Sequence, residues 1–462
     1  MTYGLDMLIR QVKEDEEAVA LVNRYLPGIL AMTEDRPEAN GMSLRSLSRY
    51  LGDRLPAESL SALERELVSL GNKRGGISPA EAERIKQYME FAQEREKEYA
   101  DAGRIPDENP TRYDAVYPGQ IWLDTYGRRI QAHAGGIIEE NGYFHWYGEN
   151  KEYTDGKSNI WTWGIRMYRS KDFYNWEDCG LIIPPVVDDP ASPLFPERKV
   201  DRPHIVRNEK TGKYVCWIKI SGPEACFTIL TADTLQGPYE IVTPFYNPFG
   251  LHIGDFDIAV DEKSKKAYLY CEAEHGRVVG IRLTDDYLTA DEQVSVQYKD
   301  LYAPFCREGV TVLERKGKLY MLTSGMSGYV PNQSDAAVST GFESPFVSIG
   351  DPHVDDESLS SFNSQIGQAF RVPGKDTYIA LADRWVPDYT VTRERALAIR
   401  QAIASSHDPG KYPATKEQMK ELMNAPMIES AETRIADYVF LPIEFSGEDA
   451  SPRISWKESW TL

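Results

Sequence analysis

Residues 141–147 read NGYFHWY, a turn pair followed by five ring-bearing side chains. The same texture returns at 211–217 (TGKYVCW), 265–270 (KKAYLY), 316–322 (KGKLYML) and 373–380 (PGKDTYIA), at intervals of roughly 50 to 70 residues. In each copy a turn residue leads into a short aromatic and apolar strand, and that period is the period of a β-propeller blade. One blade cannot bury both faces of its sheet alone, so blades stack in a ring. Side chains at the strand ends then converge on a central pocket. The repeat predicts an all-β, five-bladed β-propeller and says where to look for function.

Working outward, residues 1–105 have another texture. Apolar residues fall at helical spacing, as in Leu5, Leu8, Ile9 and Val12, then Leu60, Leu63, Leu67 and Leu70, which predicts a helical domain. Its last helix is marked by Ser78 as cap, Pro79 at the first helical position and Glu81 completing a capping box. The charged face EREKEYADAG (94–103) reads as a solvated surface, with a dimer contact or a lid over the propeller as the functional alternatives. Residues 106–462 form the propeller, with short strands separated by Gly, Asp, Asn and Pro turns. A helical stretch at about 391–432 reads as a surface insertion in the final blade.

The 462 residues carry 41% hydrophobic and 27% charged side chains and a formal charge of −20. That balance fits a globular protein with a large core and disfavours nucleic acid and anionic membranes. A neutral or cationic ligand fits better. The N-terminus lacks a basic and apolar leader and no apolar run approaches membrane length, so a cytoplasmic location is expected. Cys179, Cys216, Cys226, Cys271 and Cys306 show no metal or disulfide spacing and read as free thiols.

Acidic and amide residues stand at comparable places in successive repeats: Glu149, Asp201, Asp255 with Asp257, Glu308, and Gln365. On a propeller they converge on one cavity. Several carboxyls around one pocket, one protonated and the others ionised, are what glycosidic bond hydrolysis needs. For any single acid the competing reading is a strand-end residue satisfied by backbone amides.

From about residue 109 to the C-terminus the chain resembles glycoside hydrolase family 43, in particular its exo-β-1,3-galactanase-like branch. The resemblance is carried by HAGGIIEENGYFHWYGEN, WGIRMYRSKDFYNW, DRPHIVRNEKTGKYVCW, GDFDIAVDEKSKKAYLY, REGVTVLERKGKLYMLTSG, FNSQIGQAF, ADRW and YVFLPIEFSG, in that order. It implies a five-bladed propeller and an inverting glycosidase that needs no cofactor, with room for a structural ion in the channel. Residues 1–105 lie outside it.

By this resemblance Glu308 is the general acid, and Asp255 tunes and orients it, with Asp257 the competing choice on the same strand face. Asp201 stands where the branch has a longer glutamate, and Glu149 binds substrate. Most of the wider family carries an aspartate base on the first blade. Here that place reads His133, Ala134, Gly135, Gly136, as in the galactanase-like branch, where a glutamine serves the water. Gln365 occupies its place. It would act as an imidic acid, or only aim the water while Glu149 or Asp201 takes the proton.

Trp161, Trp163 and Tyr147 are candidates to stack on a sugar, or core aromatics. Arg384, between Asp383 and Trp385, is a candidate sugar contact, as is His133. His133, His204 and His252 lack a ligand motif, so no metal site is expected. Inversion implies a separation of roughly 6.5–9.5 Å between Glu308 and the water-side group Gln365. The expected activity is release of terminal galactose from oligosaccharides. The rivals are an arabinofuranosidase, xylosidase or galactofuranosidase, a glycan-binding propeller without turnover, and a scaffold or homo-oligomer built through the N-terminal helices.

Overall fold

The computed structural model describes residues 3–5, 7–34, 39, 43–45, 56–74, 79–102, 112–222, 225–445 and 451–462. Five antiparallel sheets follow one another along the chain. Blade 1 holds β1 (His133–Glu140), β2 (Tyr143–Glu149), β3 (Ile165–Ser170) and β4 (Glu177–Ile183). Blade 2 holds β5 (Lys199–Arg207), β6 (Tyr214–Ser221), β7 (Cys226–Ala232) and β8 (Glu240–Tyr246). Blade 3 holds β9 (Ile253–Val260), β10 (Ala267–Ala273), β11 (Arg277–Leu283) and β12 (Ala290–Gln297). Blade 4 holds β13 (Arg307–Arg315), β14 (Lys318–Gly325), β15 (Ser334–Ser339) and β16 (Val347–Gly350). Blade 5 holds β17 (Gln365–Arg371), β18 (Tyr378–Arg384), β19 (Asp437–Tyr438), β20 (Leu441–Phe445) and β21 (Pro452–Arg453). The first strands β1, β5, β9, β13 and β17 each contact the next, and β17 contacts β1, which closes the ring. Val116 and Trp460 exchange backbone hydrogen bonds across the junction of the two ends.

The repeated segment is the second strand of every blade, and its composition follows from where it sits. Successive side chains of a strand point to opposite faces, and here each face lies in a different seam. Trp146 packs toward blade 5, and Tyr147 packs toward blade 2. Cys216 faces blade 1 and Trp217 faces blade 3. Leu269 and Tyr270 divide in the same way, as do Tyr320 and Met321, and Tyr378 and Ile379. Both faces are buried, so the strand is continuously apolar rather than alternating, and Gly or Lys marks the turn into it.

The helices Ile9–Lys13, Glu16–Tyr25, Ala57–Arg74 and Pro79–Ala102 precede the propeller. Leu5, Ile9, Val12, Leu63, Leu67 and Leu70 share their core. The last helix begins at Pro79, while its expected cap Ser78 lies outside the described residues. Two more helices, Arg393–His407 and Lys416–Met423, lie in the connection between β18 and β19. All five cysteines are free. Among the described residues no helix is long and apolar enough to cross a membrane.

Candidate active site

Every first strand begins at the same end of the ring, and each pairs irregularly with its neighbour near that end. Such bulges re-aim side chains next to functional sites. Three of them hold a residue at positive φ: Ala134 at 47°, Arg202 at 49° and Gly309 at 59°. At Gly309 a Cβ would meet Ser324 Oγ at 3.0 Å and the Ile366 carbonyl at 3.1 Å, so the turn after Glu308 requires glycine.

Arg202 is the hub, and the sequence reading passed over it although it adjoins Asp201. Its Nε lies 2.8 Å from Asp255 Oδ1, its Nη2 donates to Gln365 Oε1 at 2.7 Å, and its backbone N–H donates to Glu149 Oε1 at 2.7 Å. Lys219 Nζ reaches Asp255 Oδ1 at 2.7 Å, and Gly309 N–H donates to Asp255 Oδ2 at 2.9 Å. Burial alone would lift the Asp255 carboxyl, but Arg202 and Lys219 outweigh it and hold the group well below the usual carboxylate range. Lys151, fully buried, lies 2.8 Å from Glu149 Oε2 and 3.8 Å from Asp201 Oδ1. Asp201 also accepts from Trp161 Nε1 at 2.6 Å and from the Ser221 hydroxyl. Burial lifts Glu149 to about 7 despite Lys151, with Asp201 adding repulsion.

Three cations therefore stand against three carboxylates, Glu149, Asp201 and Asp255, and Glu308 makes no ion pair among the described residues. Its carboxyl is pushed up to about 8, first by burial and then by the negative charge of Asp255, against the pull of Lys219 and Arg202. A carboxyl so placed keeps its proton at neutral pH and can donate it. Blade 4, which carries Glu308, lies opposite blades 1 and 2 in the ring, which carry Glu149 and Asp201.

Gln365 departs from expectation. Its Nε2 lies 3.4 Å from Glu308 Oε1 and 2.9 Å from Ser324 Oγ, so the pair is in contact rather than separated by 6.5–9.5 Å. The cause is on its other side, where Arg202 Nη2 and Trp385 Nε1, at 2.7 and 3.2 Å, both donate to the amide oxygen. Neither donor can accept, so the oxygen is fixed toward them and the NH2 must turn to Glu308. The same two donors oppose an imidic O–H at that oxygen.

Five other candidates lie away from the pocket. Asp257 meets His204 Nδ1 at 2.9 Å and accepts from Thr311 Oγ1 and Val312 N–H at 2.9 and 2.6 Å, pinning blade 3 to blades 2 and 4. His133 is 0% exposed, lies 2.9 Å from Asp383 through Nδ1 and stacks on Tyr438. Arg384 turns outward to the Gly119 and Phe362 carbonyls. Alternation along β18 brings Trp385, two residues beyond Asp383, to the pocket instead. Trp163, 2% exposed, packs against Tyr88 and Phe91 of the N-terminal helix Pro79–Ala102. Tyr147 is core, its hydroxyl accepting from Ile205 N–H. Beside Gln365 lies a narrow cleft lined by Ser324, Tyr329, Asn332 and Trp385. His204 and Asp257 satisfy each other in the channel, and among the described residues no three His, Cys, Asp or Glu side chains gather as metal ligands.

A carboxyl raised to about 8 on one side of a propeller pocket, Glu149 and Asp201 on the opposite blades and a sequence match come together here. The profile of glycosyl hydrolases family 43 matches residues 140–400. The chain belongs to glycosyl hydrolase family 43. Among solved structures, a family 43 β-1,3-galactosidase superposes with a TM-score of 0.61 at 24% identity, over 76% of this chain and 64% of that one. The exo-β-1,3-galactanase of Phanerochaete chrysosporium gives 0.59 at 22%, over 76% and 68%. That of Clostridium thermocellum gives 0.57 at 23%, over 75% and 66%. The chain thus spans under two thirds of the first galactosidase, and at these identities the likeness is one of fold. No curated protein sequence matches the chain.

Proposed function

We propose that this family 43 enzyme is an inverting, exo-acting hydrolase that removes terminal galactose from oligosaccharides. The observation that carries the reading is the Glu308 carboxyl, raised to about 8 by burial and by Asp255, on the blade opposite those that carry Glu149 and Asp201. Glu308 gives its proton to the glycosidic oxygen as the C1–O bond breaks, and a water attacks C1 from the opposite face. The water's proton passes to Glu149 or Asp201, the configuration at C1 inverts, and the cycle closes as that carboxyl gives its proton to solvent and solvent returns one to Glu308. Asp255, held by Arg202 and Lys219, keeps its charge beside the acid. Gln365 acts as a positioning residue for Glu308, since its NH2 is aimed at that carboxyl. The galactose preference is supported by the galactosidase and galactanases whose fold it shares.

The test is hydrolysis of nitrophenyl glycosides and of short galactose- and arabinose-containing oligosaccharides, with Glu308→Gln alongside. Release of galactose, lost in the variant on unactivated substrates, supports the reading. Release of arabinose or xylose moves it to another sugar of the family. Binding without release makes the protein a glycan-binding propeller.

A further inference from the structure

The connections between second and third strands lie at the end of the ring where the acids are. In blades 2 and 3 they are short, residues 222–225 and 274–276, whereas in blades 1, 4 and 5 they run through 150–164, 326–333 and 385–436. The wall of the pocket is therefore high over blades 4, 5 and 1 and low over blades 2 and 3. Blades 1 and 4 are not neighbours, yet their connections meet. Trp161 of blade 1 stacks on Tyr329 of blade 4, with centroids 6.5 Å apart and planes at 21°. Tyr329 leans in turn on Trp385 at 5.4 Å. At the other edge, Trp161 Nε1 holds Asp201.

Each half of this clasp is backed by helices foreign to a propeller. Behind Trp161, the helix Pro79–Ala102 presents Tyr88 and Phe91, three residues apart and so on one face. Phe91 packs edge-on against Trp163 and Tyr153, both at 4.9 Å. Arg84 Nε and Tyr88 Oη donate to Glu197 at 2.7 and 3.0 Å, and the neighbouring Pro196 carbonyl accepts from Trp161 N–H at 2.8 Å. Behind Tyr329, Ile428 of the insertion abuts Gly328, and Val330 shares a core with Val391, Ile399 and Ala425.

We infer that the N-terminal helical region is part of the substrate site: docked through Tyr88 and Phe91, it holds Trp161 against Tyr329 so that the pair bounds the terminal-sugar pocket and presents an aromatic face to the second sugar. Galactopyranose, with its axial 4-hydroxyl, exposes a C–H face suited to such a ring, and the rest of the substrate leaves over the low rim of blades 2 and 3. The ligand class, a β-linked galacto-oligosaccharide, rests on the function proposed above.

The experiment uses the full chain carrying Glu308→Gln, so that nothing turns over, with calorimetric binding of galactose and β-1,3-galactobiose and fluorine NMR of fluorotryptophan-labelled protein. Trp161→Ala lowers the ratio of galactobiose to galactose affinity by about tenfold, the scale of one aromatic contact. Phe91→Ala lowers it in the same direction and displaces the Trp161 fluorine signal, which Trp161→Phe assigns. Should Phe91→Ala not fold, Phe91→Leu keeps the volume and loses the ring. A folded Phe91 variant with the Trp161 signal and the affinity ratio unchanged overturns the inference. If neither sugar binds the Glu308→Gln chain, the galactoside reading fails. The fluorine signal still decides the bracing, displacement supporting it and constancy overturning it.

Discussion

Gln365 donates to Glu308 across 3.4 Å while its amide oxygen takes N–H groups from both Arg202 and Trp385. An amide pinned in this way serves the acid rather than the water. Gln365→Ala is therefore expected to slow hydrolysis of poor leaving groups, which need the proton, by about tenfold or more, and activated nitrophenyl substrates much less. Equal loss on both, measured as kcat/KM, would return Gln365 to the water.

The pH profile follows from the same carboxyls. Glu308 must be protonated, so kcat/KM on an unactivated substrate falls as pH rises through about 8. If Glu149 is the proton acceptor, the rate also rises through about 7, leaving a narrow optimum between the two. A profile without that lower limb removes Glu149 from the role.

Removing the charge of Asp255 takes away the repulsion that helps keep Glu308 protonated and leaves Arg202 and Lys219 free to pull its proton off. Asp255→Asn is expected to move the alkaline limb to lower pH and to reduce the rate. An unmoved limb would separate Asp255 from the acid.

Glu308 also links stability to pH. Its folded value, about 8, lies above the ordinary 4.5, so the folded chain holds a proton the unfolded chain has lost. The stability from that proton is full below about 4.5 and disappears as pH climbs to about 8. Glu308→Gln cannot ionise. Its melting temperature relative to the parent should rise between pH 5 and 8 and level off beyond, and a constant difference would contradict a raised acid.

Arg202 is buried between Asp255, Gln365 and Glu149. Arg202→Met leaves Asp255 with one cation fewer and is expected to lower stability by about 3 kcal/mol or more, the scale of breaking a buried pair. The check is the denaturant midpoint, with Arg202→Lys, which keeps the charge but loses the fork to Gln365, falling between.

What the sequence alone determined is the ring. The period, the turn residues and the apolar run of each second strand follow from local rules, because a strand buried in two seams must be apolar on both faces, as Trp146 and Tyr147 are. It also marked the recurring acids, since they stand at fixed places relative to those turns. Only the tertiary structure decided what each one meets. Asp255 and Asp257 share a strand face, yet one meets Arg202 and Lys219 while the other is spent on His204, Thr311 and Val312. Trp161 and Trp163 are two residues apart, yet one closes the pocket and the other docks a helix. Arg202 and Lys219 were illegible as site residues because a cation in a strand reads as solvated until the carboxylate it faces, Asp255 of another blade, is in place. Contacts between distant segments set those partners, and neither period nor composition records them.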